Sequence, residues 1–353
     1  MNLLPTIVLW IIGILGIFFI LALGIGWLMS APAYKGDISD HFDGTRFVNQ
    51  GNVEPTGLAD LLKWVTNRDE GTWNAYTVED KPYGNPPEKR VEKGITVTYV
   101  NHSTFLIQLD GLNILTDPVW SERVSPFSFA GPKRMRPPGI KFDNLPPIDL
   151  VLISHNHYDH LDLETLKRVV RHSDPEIVTP LGVNLYIEKN ITTRTRSFDW
   201  WDTYQVNDSV TIHTVPAQHF SSRGMFDRDK TLWAGFVIQS PSGSVYFAGD
   251  SGYGSFFKEV GSRLGPFKLS MIPIGAYKPR WFMSPVHIDP AQAVQVHHDV
   301  RSELSIGMHY GTFPLADDGE TEPINELKAA LEEGEVRSDA FILLEEGKSI
   351  HVE

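Results

Sequence analysis

The run Ser154-His155-Asn156-His157-Tyr158-Asp159-His160 carries three imidazoles and a carboxylate within six residues, directly after an apolar stretch. Imidazole and carboxylate together accept zinc, iron or manganese, and with no cysteine in the chain a metal here must use these donors alone. Extended backbone places residues i and i+2 on one side, so His155 and His157 converge on one ion. The turn that follows presents Asp159 and His160 nearby, which makes room for two ions. A lone histidine would more often be exposed or held in a turn; this packed cluster has metal-ligand spacing.

Secondary structure must bring the donors together. Residues 148–153 read as a short buried strand, and apolar positions 161, 163, 166, 169 and 170 have the spacing of an amphipathic helix, so the cluster occupies a strand-to-helix loop. The theme recurs downstream. A strand-like run at 209–215 gives way to Pro216-Ala217-Gln218-His219, and 232–239 is another strand. Residues 244–248 end in Gly249-Asp250-Ser251-Gly252, and Ser305–Met308 delivers His309. Singly, His219, Asp250 and His309 are unremarkable turn or core residues; together, each follows a strand. A carboxylate at 250 has two oxygens with which to bridge a pair of ions, which a neutral imidazole lacks. Upstream, Ile95, Val97 and Tyr99 alternate, as do Phe105, Ile107 and Leu109, before an Asp110-Gly111 turn and Ile114-Leu115. Thr116-Asp117-Pro118 ends that β-layer. Asp117 there, and His102 between two of the strands, stand either to fix a metal-bound imidazole or to satisfy a turn, with direct ligation behind both readings.

Composition bounds the rest. With 353 residues, 21% charged, 41% apolar and nine tryptophans, the chain is neither disordered nor a simple helical repeat, and one large α/β domain can occupy most of it. A formal charge of −13 argues against a general nucleic-acid-binding surface, which needs clustered Lys and Arg, so nucleic acid is not an expected partner. Without cysteine there is no disulfide, and the redox compartment stays undecided.

The first 34 residues contain no Asp, Glu, Lys or Arg, and 7–29 is almost continuously apolar. A helix over that span is about 35 Å long, enough for a hydrocarbon core of about 30 Å. Ala31-Pro32-Ala33 has the small-x-small pattern of a cleaved signal, but the run is long and nothing basic precedes it, so 1–34 is read as a single-pass anchor. Lys35 and Arg46 after the span point to a cytoplasmic catalytic portion. Residues 35–93 read as a tether and wrap with one helix near 58–65, and Trp64 and Trp73 are expected to pack on the main domain, 94–353.

Between Trp120 and Pro147 lies a long Pro- and Gly-rich loop that mixes Lys133, Arg134 and Arg136 with Phe127, Phe129 and Met135. In an acidic protein this mixture suits a lipid phosphate above acyl chains. Composition fits equally a solvated charge run pinned by aromatic residues.

The ordered set His155, His157, Asp159, His160, His219, Asp250 and His309 resembles the metallo-β-lactamase superfamily of binuclear hydrolases. The resemblance implies an α/β (α+β) fold, a four-layer αβ/βα sandwich, here behind an N-terminal transmembrane helix. It also implies a first metal on His155, His157 and His219, a second on Asp159, His160 and His309, and Asp250 between them, with Zn2+ the expected ion and iron or manganese accepted by the same donors. Further segments are similar to the N-acyl-phosphatidylethanolamine-hydrolysing phospholipase D family: Thr116-Asp117-Pro118, Phe129-Ala130-Gly131-Pro132-Lys133-Arg134, Trp200-Trp201-Asp202, Gly275-Ala276-Tyr277, Pro279-Arg280-Trp281-Phe282-Met283 and His287-Ile288-Asp289-Pro290.

That family implies cleavage of the headgroup-side phosphodiester of a membrane phospholipid, giving phosphatidic acid and an N-acylethanolamine. Asp159 would position the attacking water while ligating, and His287 would bind phosphate or assist the leaving alkoxide. Tyr277, Lys278 and Arg280 join Lys133, Arg134 and Arg136 as candidates for the substrate phosphate. The expected partners are the bilayer and its phospholipid, and a homodimer stays open. A lactonase or nucleotide phosphodiesterase on the same scaffold is the rival activity. A non-catalytic, membrane-tethered metal-binding regulator is disfavoured because all seven ligands are in place.

Overall fold

The computed structural model describes residues 4–51, 53 and 56–352. Residues 1–3 of the expected anchor, 52, 54 and 55 of the expected wrap, and Glu353 lie outside the described residues. The strands in chain order are β1 (Ile95–Asn101), β2 (Thr104–Leu109), β3 (Leu112–Thr116), β4 (Leu150–Leu152), β5 (Glu176–Pro180), β6 (Thr195–Phe198), β7 (Thr203–Gln205), β8 (Thr211–Val215), β9 (Gly235–Ser240), β10 (Gly243–Phe247), β11 (Leu269–Pro273), β12 (Ser305–Met308), β13 (Phe341–Ile342) and β14 (Ser349–Val352). They form two seven-stranded sheets, β14-β1-β2-β3-β4-β5-β6 and β13-β12-β11-β10-β9-β8-β7.

Period-two alternation sorts the first sheet's side chains. Val97, Tyr99, Phe105, Ile107, Ile114 and Leu152 face the second sheet in one core with Phe236, Ile238, Val245 and Met271. Val100, Leu106, Leu115 and Val151 face the other way, into a separate cluster. The helices are α1 (Leu4–Met29), α2 (Leu58–Thr66), α3 (Leu163–Ser173), α4 (Val183–Asn190), α5 (Phe256–Leu264), α6 (Arg280–Met283), α7 (Pro290–Asp299) and α8 (Glu322–Glu333). Helices α3 and α4 cover the outer face of the first sheet through Leu166, Val169, Val183 and Ile187. Helices α5, α7 and α8 add Phe257, Val296 and Leu327 to the core from the second sheet's side. The result is the expected αβ/βα four-layer sandwich.

Strand direction decides where chemistry can sit. β3 to β6 run parallel, as do β10 to β13, and the antiparallel pairs β1/β2, β2/β3, β8/β9 and β9/β10 turn β1 and β8 the same way as their parallel neighbours. The carboxyl ends of β1, β3, β4, β8, β10 and β12 therefore open on one rim, where α/β sheets place ligands. Element boundaries shift from expectation by up to three residues. The helix expected from 161 starts at Leu163 because the Asp162 carboxylate accepts the Glu164 and Thr165 N–H groups and so caps it. The strand expected from 232 starts at Gly235, with Leu232, Trp233 and Ala234 packing in a cluster of their own.

Among the described residues one helix is long and apolar enough to cross a membrane, with the span Leu9–Met29 of 21 residues. Its exit is fastened: the Ala31 N–H donates to Asp227 Oδ2 at 2.8 Å and the Phe226 N–H to Ser30 Oγ at 3.2 Å. The segment after it packs on the sandwich as expected. Phe42 and Phe47 enter a cluster with Trp200 and Trp233, Trp64 stacks on Phe282, and Trp73 Nε1 donates to the Asp318 carbonyl at 3.0 Å.

Candidate metal centre

Each donor singled out above leaves the end of a strand on the common rim: Asp117 after β3, the 154–160 loop after β4, His219 beyond β8, Asp250 beyond β10, His309 directly after β12. Three residues here hold backbone in the left-handed region that disfavours side chains, His102 (φ 48°), Asp117 (φ 34°) and His309 (φ 62°). Such strain clusters where a site dictates where a side chain must point.

The donors converge in two groups. In the first, His155 Nε2 lies 2.8 Å and His219 Nε2 3.2 Å from His157 Nδ1. In the second, Asp159 Oδ2 lies 3.2 Å from His160 Nε2 and 3.3 Å from His309 Nε2. Asp250 Oδ2 stands between them, 3.1 Å from His160 Nε2, 3.0 Å from His309 Nε2 and 3.8 Å from His219 Nε2. Ligands about 2.0–2.1 Å from one tetrahedral ion are about 3.3 Å apart, so both groups have the spacing of a coordination shell. Two polar atoms at the centre, His160 Nε2 and Asp250 Oδ1, are buried without a hydrogen-bond partner, as expected of atoms that face a cation. The residues fit a divalent-metal site, and the chain is a metal-binding one on this chemistry.

Outer partners aim the rings. Asp117 Oδ2 is 2.7 Å from His160 Nδ1 and accepts Ser154 Oγ–H at 2.6 Å, while Asp117 Oδ1 accepts the Ser154 N–H at 2.7 Å. His219 Nδ1 donates to the Val286 carbonyl at 2.9 Å, which leaves Nε2 for the centre. The 154–160 loop is clamped from outside by Arg223, whose guanidinium donates to the carbonyls of Asn156 and Leu161, both at 2.8 Å, and rests on the Tyr158 ring.

Electrostatics divides the two groups. Burial, and then the charge of His160, holds His155 well below the usual imidazole value; burial and His157 bring His219 to about 3. These imidazoles keep free lone pairs at neutral pH. Burial opposes charge on His160 and His309 as well, but Asp250 and Asp159 outweigh it, so His160 lies well above the ordinary value and His309 is raised to about 9. Burial also disfavours ionised Asp159 and Asp250, yet the His160 charge holds both carboxyls well below the usual range. Two buried carboxylates thus require positive charge beside them, which a bound divalent cation would supply in place of ring protons.

His287 comes within ligand distance of His219 and Asp250, its ring 5.1 Å from that of His219 and half-buried at the rim, with Nδ1 unpartnered. The basic candidates are placed differently from expectation. Arg134 is buried, donating to the carbonyls of Ser121, Val119 and Arg136 with its guanidinium over Phe313. Arg136 is locked between Glu320 and Glu346. Tyr277 is buried. For the two arginines, internal partners and burial correct the expectation of a lipid-phosphate contact: both side chains are framework in this Pro- and Gly-rich loop. Lys278 pairs with Glu326 at 2.9 Å and Glu322 at 3.4 Å, and Arg280 pairs with Asp289 at 3.2 Å while donating to the His287 carbonyl at 2.8 Å. Lys133 is exposed.

Two residues were undervalued by sequence reasoning. His102, for which ligation stands behind a supporting or turn role in the sequence, joins Asp159, His160 and His309 in the second group; its place after β1, at the same rim as the other donors, was the available signal. Asn49 brackets His219 from the wrap, its Oδ1 accepting the His219 N–H at 2.9 Å and its Nδ2 donating to the His219 carbonyl at 2.8 Å. A single Asn in a polar stretch carries no signal of that.

With this geometry in view, residues 112–310 match the model of the β-lactamase superfamily domain. The chain is 38% identical over 270 residues to N-acyl-phosphatidylethanolamine-hydrolyzing phospholipase D 1 of Caenorhabditis elegans, covering 73% of this chain and 76% of that one. It is 34% identical over 243 residues to the mitochondrial N-acyl-phosphatidylethanolamine-hydrolyzing phospholipase D of Saccharomyces cerevisiae, covering 67% of this chain and 52% of the yeast protein, so the chain spans about half of that relative. Among solved structures, the metallo hydrolase Igni18 of Ignicoccus hospitalis superposes with a TM-score of 0.55 at 24% identity over 74% of this chain and 99% of its own, a likeness of fold.

Proposed function

Because the chain belongs to the metallo-β-lactamase superfamily and is a metal-dependent hydrolase, we propose that it is a phosphodiesterase of the phospholipase D type, anchored in a membrane by α1. Its substrate on this reading is N-acyl-phosphatidylethanolamine or a closely related glycerophospholipid. The observation that carries the reading is the 38% identity to a nematode protein named for that reaction, over most of both chains. The complete set of seven donors on one rim and an apolar helix tied to the same body support it.

His155, His157 and His219 would hold one ion and Asp159, His160 and His309 the other, with Asp250 Oδ2 facing both. Zn2+ is the proposed metal. The chemistry such a pair supplies is activation of water at neutral pH and neutralisation of a phosphoryl oxygen during in-line displacement. The protein's part is geometric. Asp159, fixed at the centre, orients the water that attacks phosphorus; the bond from phosphorus to the ethanolamine oxygen breaks, leaving the new oxygen on phosphatidic acid. His287 sits at the rim with a free ring nitrogen, suited to donate to a phosphoryl oxygen or to the departing alkoxide. Arg280 steadies it through the His287 carbonyl.

The test is a parallel assay of metal-loaded protein on phospholipid vesicles, an acyl lactone and a cyclic nucleotide, each with the Asp159→Asn variant alongside. The expected result is turnover of the phospholipid in preference to the others and a loss of about 100-fold or more in the variant. Preferential lactone turnover would overturn the substrate assignment.

A further inference from the structure

We propose that His102 is a donor to the second metal position, a fourth protein side chain beside Asp159, His160 and His309. Its Nε2 lies 3.0 Å from Asp159 Oδ2, against 3.2 and 3.3 Å for His160 and His309, so three imidazole nitrogens face one carboxylate oxygen at nearly equal distance. His102 is 1% exposed and its other ring nitrogen is buried without a partner, as is that of His309. Whichever nitrogen carries the proton, one nitrogen of the ring lacks a hydrogen-bond partner. With the proton on Nδ1, the Nε2 lone pair would face a carboxylate oxygen and repel it unless a cation lay between them.

The backbone is built to put the ring there. His102 occupies the β1–β2 turn with φ 48°, where glycine or asparagine would be the unstrained choice, and the strain is held by the neighbouring turn. The His309 N–H donates to the His102 carbonyl at 2.9 Å, and the His102 N–H donates to Thr312 Oγ1 at 3.0 Å. The turn bearing one imidazole is thereby fixed to the turn bearing the next, with ring centroids 4.1 Å apart. The first group has three imidazoles and no carboxylate of its own; the second then has three imidazoles and a carboxylate, so the two positions differ in donor number.

This inference rests on the binuclear reading and not on the lipid substrate. It is tested by loading the full chain with Co2+ and recording contact-shifted imidazole resonances by proton NMR, which needs no substitution. Six metal-bound rings are expected, those of His102, His155, His157, His160, His219 and His309; five rings, with His102 unshifted, would overturn the inference and leave the binuclear centre standing. Binding of a single ion would overturn both. A second arm titrates Zn2+ into His102→Asn, which suits the left-handed turn, and His102→Gln, which keeps an N–H for Asp159 but is a poor ligand. Weakening of the second ion by about tenfold or more in both, with the first unchanged, supports donation. Wild-type affinity in the Gln variant would overturn it in favour of a hydrogen bond to Asp159.

Discussion

Asp117 has no surface and no contact with solvent, yet it decides which way His160 faces: its carboxylate takes one ring nitrogen and two groups of Ser154, and the opposite nitrogen is left for the centre. Removing the charge while keeping the shape, Asp117→Asn, is expected to lower affinity for the ion on His160 by about 10–100-fold, read by competition with a chromophoric chelator, with the first ion unaffected. The seven residues that converge at the centre were legible from residue type, strand-end position and the family resemblance they carry, because metal chemistry admits few donors and places them at fixed spacing. His102 obeyed the same positional rule but looked like an ordinary turn residue, since nothing in local sequence reveals that a turn is pinned to another two hundred residues away. Asn49 was illegible for a related reason: its two hydrogen bonds are to backbone, which leaves no mark on residue type.

At the scale of elements, the strands read well from alternation, and the 120–147 loop read poorly. Its basic residues suit a lipid phosphate and a solvated charge run equally by composition, whereas the fold uses Arg136 to join Glu320 of the α8 approach to Glu346 of the β14 approach. Arg136→Ala is expected to destabilise the protein by about 3–5 kcal/mol in denaturant unfolding, because it leaves carboxylates buried without their partner. A variant of unchanged stability with weakened substrate binding would restore the lipid contact. The wrap carries a titratable joint as well. His41 stacks on Trp200 and places its ring nitrogens 2.6 Å from Asp40 and 2.7 Å from Asp199; burial lowers its pKa, but the hydrogen bonds to these carboxylates win and raise it above 6.5. A group raised in the folded state adds stability that is fully present below its unfolded pKa of about 6.5 and is lost as pH rises through the folded value. The stability gap between wild type and His41→Gln is therefore expected to be widest near pH 5 and to narrow toward pH 9, as measured by urea midpoints; a gap independent of pH would contradict the assignment.

The whole molecule joins an apolar helix to a hydrolytic rim through a short chain of named contacts. Ala31 is bound to Asp227, the same carboxylate accepts the Arg223 N–H, and Arg223 clamps the ligand loop from outside. Deleting residues 1–29 leaves Ala31 and the sandwich intact. The shortened chain is expected to move from the alkaline-carbonate pellet to the supernatant while turnover of detergent-dispersed substrate stays within about threefold, since the deletion touches no central donor. Loss of both ions on truncation would show that the helix supports the site itself. Composition and hydropathy revealed the helix and the large domain behind it, while their attachment depends on side-chain contacts between distant segments and became visible only in three dimensions.

The most direct test of the central claim is the fate of solvent oxygen. Metal-loaded protein is incubated with vesicles of N-acyl-phosphatidylethanolamine in water enriched in oxygen-18, and the products are resolved by mass spectrometry. Attack on phosphorus with departure of the headgroup places the heavy oxygen in phosphatidic acid and leaves the N-acylethanolamine unlabelled. A labelled phosphorylated N-acylethanolamine, or no phosphodiester turnover by protein carrying two ions, would contradict the account.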